Sequence, residues 1–420
     1  MLSSKRPAWR YVAYALPVAV VAWGGAIRAE PVPAYAQLLR EAQTSAPALA
    51  ERAANVRSAE GLADQAGYRP NPTVSLDVEN VVGTRPYRGF SQAQNTLTAS
   101  QTLELGGKRA ARIAAGRASV EASRAQQRQA LADFGYDLAL AYVTAEAAQT
   151  RADLLRQDLE RAADDLRVAR ALVDAGREAD LRAVQAQAAV SATRAELQLA
   201  RADAAEALGR LSAMVGAPAP YTSIGPLLLP GANALAIPTG EPPTSTPAVL
   251  AAEAERDAAV RRINVERTRA TPNVTVSLGV RRLEGENATN FVGGVAVPFP
   301  LFDRNRGAIS SALADRDAAD ARVNAARLEA EASWRAGIFR AGASQDGLLA
   351  AIEGESAAAE GYRLARIGYE AGRTPLVELL NARRALTEAQ ARTLDARTQR
   401  IRADATLARL AGRTPFGDAR

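Results

Sequence analysis

Apolar and polar residues alternate strictly in two zones of the chain. In the first, Val74, Leu76 and Val78 are interleaved with Thr73, Ser75, Asp77 and Glu79. The loop "GTRPYRGFSQ" leads from there to a second run near 93–104, where Leu97, Ala99 and Leu103 sit among Thr96, Thr98, Ser100 and Thr102. In the second zone, Val274, Val276, Leu278 and Val280 alternate with Thr275, Ser277 and Gly279, and after "RLEGENATN" a partner strand is expected at about 290–299. Period-two patterning predicts strands with one apolar and one polar face. Leu76, Val276 and Leu278 are expected on the outer face, and Ser75, Asp77 and Ser277 on a water-lined one. The flanking segments read as helices, at 34–66, 107–172, 247–270 and from "PFPLFDRNRG" to about 370, each helix before a strand being broken by proline at Pro70 and Pro72 or at Pro272. Apolar residues at seven-residue spacing (Leu159, Leu166, Val173; Ile113, Val120 and, after Gln127, Phe134; Leu379, Leu386) predict coiled-coil seams. A helix of some 65 residues would reach about 100 Å.

The programme occurs twice. "VSLDV" at 74–78 overlays "VSLGV" at 276–280 at an offset of 202, and Ala-Gly-Arg at 175–177 recurs at 371–373 at an offset of 196. Two landmarks with nearly one offset point to an internal duplication. The chain divides into a first repeat, 30–216 (helix, β-pair 73–104, helical hairpin with its tip near 174–180), a Pro-rich connector, 217–247, a second repeat, 248–411 (helix, β-pair 273–299, hairpin tip near 370–375), and a tail, 412–420. Gly176 and Gly372 permit the sharp reversals, and Pro375 suits the first turn of a returning helix.

Composition narrows the function. The 420 residues include neither Cys nor His, and the lysines are Lys5 and Lys108. That removes thiol and imidazole chemistry and leaves no nucleophile–base pair, so neither an enzyme nor a metal or cofactor site is expected. Residues 1–29 have a basic start (Lys5, Arg6, Arg10), an apolar run and a cleavage point after Ala29, the layout of a secretory signal peptide. Four of the 52 basic residues fall in that segment and all 46 acidic ones lie beyond it, so the remainder carries +2 and nucleic-acid binding is not expected. Four short strands cannot close a barrel, so in an exported chain their apolar face and free edges predict closure by several chains in the outer membrane.

The order of these features resembles the TolC-like outer-membrane factor family over nearly the whole exported chain: "EAQTSAPAL", the Pro-bounded strand pairs, "QTLELGGKR", "PFPLFDRNRG" and the two Ala-Gly-Arg turns, the second followed by "VELLNARRALTEAQ". "ELGGKR" and "LFDRNRG" look most like its heavy-metal (cobalt-zinc-cadmium type) efflux branch. The resemblance implies a mainly α fold with a small β part, in which three chains form an α-barrel continued by a 12-stranded transmembrane β-barrel, with 217–247 as an equatorial connector. It implies an outer-membrane channel extending into the periplasm, a passive export duct of a tripartite efflux system, with a homotrimer, outer-membrane lipid, a periplasmic adaptor (membrane fusion) protein and an inner-membrane RND-type pump as partners. Gly176, Arg177, Gly372, Arg373 and Pro375 would be adaptor-docking tips. Glu378, with Asn381 three residues on, would form the periplasmic gate beside Tyr369 and Arg373. The alternatives are a periplasmic coiled-coil adaptor, or a duct for drugs or secreted protein. With Met1 and Met214 as the only methionines, metal selectivity would come from the pump.

Overall fold

Proline placement sets where the helices start and stop. The computed structural model describes residues 30–85, 87–225, 227–234 and 245–416. The segment expected to be a signal peptide, 1–29, lies outside the described residues, as do part of the connector and the end of the tail. Where the sequence predicts one helix over 34–66 there are two, α1 (Tyr35–Ser45) and α2 (Pro47–Ala66). Pro47 lacks the N–H that a continuous helix needs and pushes Ala46 into extended backbone (φ −69°, ψ 123°). The strand pair β1 (Thr73–Glu79) and β2 (Gln94–Leu103) follows. Then come α3 (Lys108–Asp174) and α4 (Asp180–Val215). After the connector come α5 (Pro247–Arg269), capped by the Thr246 hydroxyl accepting from the Val249 N–H, β3 (Val274–Leu283) and β4 (Ala288–Ala296). The chain closes with α6 (Arg306–Glu370) and α7 (Leu376–Leu410). The last strand stops at Ala296 rather than near 299, because Pro298 and Pro300 cannot donate to a ladder.

The two expected β-hairpins do not stand apart. β2 pairs with β3, so all four strands form one antiparallel sheet in the order β1-β2-β3-β4. Its register aligns the alternation across both sequence zones. Leu76, Leu97, Val280 and Phe291 lie in one cross-strand row and Val74, Ala99, Leu278 and Gly293 in the next. Intervening rows carry Asp77, Thr96, Arg281 and Asn290, or Thr73, Ser100, Ser277 and Gly294. One face is thus apolar and uncovered, with Leu76, Leu278 and Phe291 all exposed, and the other is polar, with the Arg281 Nε donating to Thr96 Oγ1 at 3.0 Å. β1 and β4 have free edges.

The helices form a long layer rather than a ball. Nearest the sheet α3 packs between α2 and α5, and α5 on α6; further away α3 packs between α4 and α7, and α7 on α6. The bulkiest core lies midway, where Tyr35, Leu38, Phe134, Leu138, Tyr142, Leu211 and Ile224 pack together and the Tyr35 hydroxyl donates to the Gly135 carbonyl at 2.7 Å. Glu146 fastens the connector there. Its buried carboxylate accepts the Leu228 and Leu229 N–H groups, both at 2.9 Å, and burial pushes its pKa up against the pull of those two bonds. Glu146→Ala leaves both donors unpaired and is expected to cost about 1–3 kcal/mol, read as a lower thermal midpoint, with Glu146→Gln costing less.

Candidate functional site at the hairpin tips

The end of the layer remote from the sheet is built from the two helix reversals, and both use one backbone device. In the first, the Ala175, Gly176 and Arg177 N–H groups donate to the carbonyls of Ala171, Val173 and Leu172. In the second, the Ala371, Gly372 and Arg373 N–H groups donate to Ile367, Tyr369 and Gly368. The pattern repeats at an offset of 196, with Gly176 at φ 67° and Gly372 at φ 71° as the left-handed residues that close each helix. Pro375 then starts α7 as its N-cap, and the Glu378 N–H donates to its carbonyl at 3.0 Å.

The two tips touch. The Arg177 guanidinium lies so close to Gly372 that a Cβ there would stand 2.8 Å from one of its nitrogens. Tyr369 is buried among Leu166, Ala169, Ala186, Val190, Leu376 and Leu379, so its ring joins the two hairpins. Burial pushes its hydroxyl pKa up; Glu178 adds to that and Arg182 opposes it. Arg373, Glu378 and Asn381 are exposed, and among the described residues none of them makes a side-chain hydrogen bond or ion pair. Glu378 sits in the first turn of α7, where the helix dipole favours a carboxylate. The structure therefore brings Tyr369, Gly372 and Arg177 together and leaves Glu378, Asn381 and Arg373 free on the surface.

About 10–25 Å above the tips, at 1.5 Å per helical residue, lies a buried polar junction that the sequence reading missed. Arg383 of α7 donates to Asp158 Oδ2 of α3 at 3.0 Å, and its Nε stands 3.5 Å from Asp165 Oδ2. Thr193 of α4 lies 3.4 Å from both Arg383 and Asp158, and the Tyr362 hydroxyl of α6 donates to Asp165 Oδ1 at 3.2 Å. All five residues are buried. The pKa of Asp165 is pushed up to about 6 by burial, against the pull of Arg383, the Tyr362 bond and Arg366, with Asp158 adding to the rise. The signal was present. Asp158 and Asp165 are seven apart, each next to a seam leucine, and Arg383 lies between Leu379 and Leu386. Among the described residues no group of three Asp, Glu, His or Cys side chains could hold a metal ion.

A family model described as "Outer membrane efflux protein" matches residues 38–217 and 244–413. The nickel-cobalt-cadmium resistance protein NccC of Alcaligenes xylosoxydans xylosoxydans is 45% identical over 94% of this chain and 90% of its own length. The nickel and cobalt resistance protein CnrC of Cupriavidus metallidurans is 45% identical over 98% and 97%. Among solved structures, the outer-membrane channel OprN superposes with a TM-score of 0.73 at 22% identity, covering 90% of this chain and 89% of that one. CusC superposes with a TM-score of 0.76 at 18% identity, covering 90% and 92%. Those two likenesses concern the fold; the family rests on the model and the near-full-length relatives, and by them this chain belongs to the outer membrane efflux protein family, whose members are transport channels of the outer membrane.

Proposed function

We propose that this chain is the outer-membrane duct of a tripartite efflux system that exports heavy-metal cations. In this reading the chain is two repeats, 30–216 and 248–411, and three copies close a 12-stranded β-barrel above a 12-helix α-barrel. The observation that carries it is the open four-stranded sheet with a bare apolar face and two free edges, which three copies would join into a ring. The helical layer supports the same closure. Leu181, Val184 and Leu199 on α4, and Leu328, Phe339, Leu349, Leu364 and Ile367 on α6, are exposed at its two edges, where neighbouring copies would meet. The heavy-metal cargo is supported by the relatives, which are resistance proteins for nickel, cobalt and cadmium. Selectivity would rest with an RND-type inner-membrane pump. A periplasmic adaptor would dock on Gly176, Arg177, Gly372, Arg373 and Pro375.

The protein is expected to fractionate with outer membranes as a detergent-stable trimer; a monodisperse monomer that keeps its sheet without detergent would overturn the duct. Loss of the chain should sensitise cells to Ni²⁺, Co²⁺ or Cd²⁺. Sensitisation to drugs alone would move the cargo away from metals.

Within that duct, Glu378 from three copies would ring the periplasmic gate, with Asn381 on the same helix face and Tyr369 and Arg373 beside it. Three carboxylates crowded in a narrow lumen attract cations strongly. Glu378→Ala should therefore weaken divalent-cation block from the periplasmic side in planar-bilayer recordings, while Asn381→Ala, which removes no charge, changes it little. Unchanged block in the Glu378 variant rejects the gate assignment.

A further inference from the structure

The junction above the tips holds one guanidinium against two carboxylates, all buried, and joins every helix of both hairpins. Its charge does not balance. Its bonding is also incomplete, since Asp158 Oδ1, Asp165 Oδ2 and Arg383 Nε find no hydrogen-bond partner among the described residues. A buried, uncompensated negative charge is costly, and the ordinary escape is to take up a proton.

We propose that this junction is a proton-sensitive clamp between the two hairpins: with a proton on Asp165 it holds them tightly, and proton loss loosens it.

With Asp165 neutral, Arg383 and Asp158 form a one-to-one pair and the acid keeps its bond with Tyr362. With Asp165 ionised, two carboxylates compete for one guanidinium away from water. The groups around Asp165 fit this account. Asp158 and Arg161 lie on α3, Tyr362, Arg366 and Tyr369 on α6 and Arg383 on α7; α4 contributes the uncharged Thr193, which bonds Asp158. Arg366 is half-exposed and shared with Asp164 and Glu370, so among the described residues Arg383 is the one buried cation in contact with Asp165. Tyr362 cannot supply a charge at working pH, because burial raises its hydroxyl pKa to about 12.

The direction follows from linkage. Asp165 stands at about 6 in the packed junction and near 3.8 once water reaches it. A raised carboxyl pKa favours the packed form in acid, and this advantage is lost as pH rises through about 6. Between pH 4 and pH 7.5 the opening equilibrium should rise by about 10- to 100-fold. The pH of the surroundings would thus set how readily the second hairpin parts from the first just above the tips.

Hydrogen exchange on the full chain in detergent, corrected for the intrinsic pH dependence of exchange, reads the clamp in segments 155–170 and 376–390. The wild type should open about 10- to 100-fold more at pH 7.5 than at pH 4. Asp165→Asn should be as protected at both pH values as the wild type is in acid. Asp158→Asn, which leaves one carboxylate for Arg383, should move the step to lower pH and serves if the first variant does not fold. Exchange independent of pH in the wild type overturns the clamp, as does an unchanged step in either variant. The readout concerns the joint between hairpins, so it can fail while the duct, read by conductance and fractionation, stands.

Discussion

Replacing Arg383 with Met should destabilise the helical layer by about 3–5 kcal/mol at neutral pH, the cost of leaving buried charge without its partner. The methionine keeps much of the apolar stem and removes only the cation between Asp158 and Asp165. Helicity followed through thermal or denaturant unfolding in detergent measures the loss. The loss should shrink in acid, because Asp165 then folds neutral with its pKa already at about 6. A triple variant, Arg383→Met with Asp158→Asn and Asp165→Asn, should recover most of the stability, since the buried charges leave together. A loss below about 1 kcal/mol in Arg383→Met would mean that water reaches the junction and that its carboxylates need no partner.

Asp164 and Asp165 explain why the junction was hard to see in the sequence. They are consecutive acids in "ERAADDLRVAR", a stretch that reads as a helix wet on two faces. Asp164 is half-exposed and pairs with Arg167, while Asp165 is 2% exposed and faces Arg383. One residue turns a helix by about 100°, so two identical side chains part company. In Ala-rich helices the seam leucines are sparse, and nothing in composition separates an acid one step off the seam from one on the surface. Glu146 is hidden for a different reason: its partners are backbone N–H groups 82 and 83 residues away, which no local pattern announces.

Other features were legible because local chemistry dictates them. Strict alternation in Val74–Val78 and Val274–Val280 placed two strands and divided their faces, and the recurring Ala-Gly-Arg marked both helix reversals. The union of β2 with β3 was not legible. It joins segments about 180 residues apart, and no turn chemistry fixes that register. The Arg177–Gly372 contact is likewise a meeting of two tips that each look complete alone. Pro47 lies inside the single helix expected over 34–66, and it divides that helix in two.

The sheet offers the other large effect. Leu278 lies in the row Val74–Ala99–Leu278–Gly293, well inside the apolar face, and is 70% exposed in the single chain. The face has clear limits. The row Val78–Asn95–Arg282–Thr289 turns polar at one end, and beyond the other end Phe299 and Phe302 stand exposed. In the proposed barrel that face meets hydrocarbon, so Leu278→Arg should cost about 2–4 kcal/mol if it lies near the bilayer midplane. The neighbouring Ser277→Arg points to the polar face and should cost far less, because the lumen solvates it. Folding into lipid vesicles, scored by resistance of the trimer to dissociation, compares the two. Cysteine labelling gives an independent reading, since the chain has no cysteine of its own. A membrane-impermeant thiol reagent should reach Asp77→Cys and spare Leu76→Cys. If Leu278→Arg folds as well as the wild type while Ser277→Arg fails, or if the labelling pattern is reversed, the apolar face is turned inward and the strands do not form a lipid-facing wall.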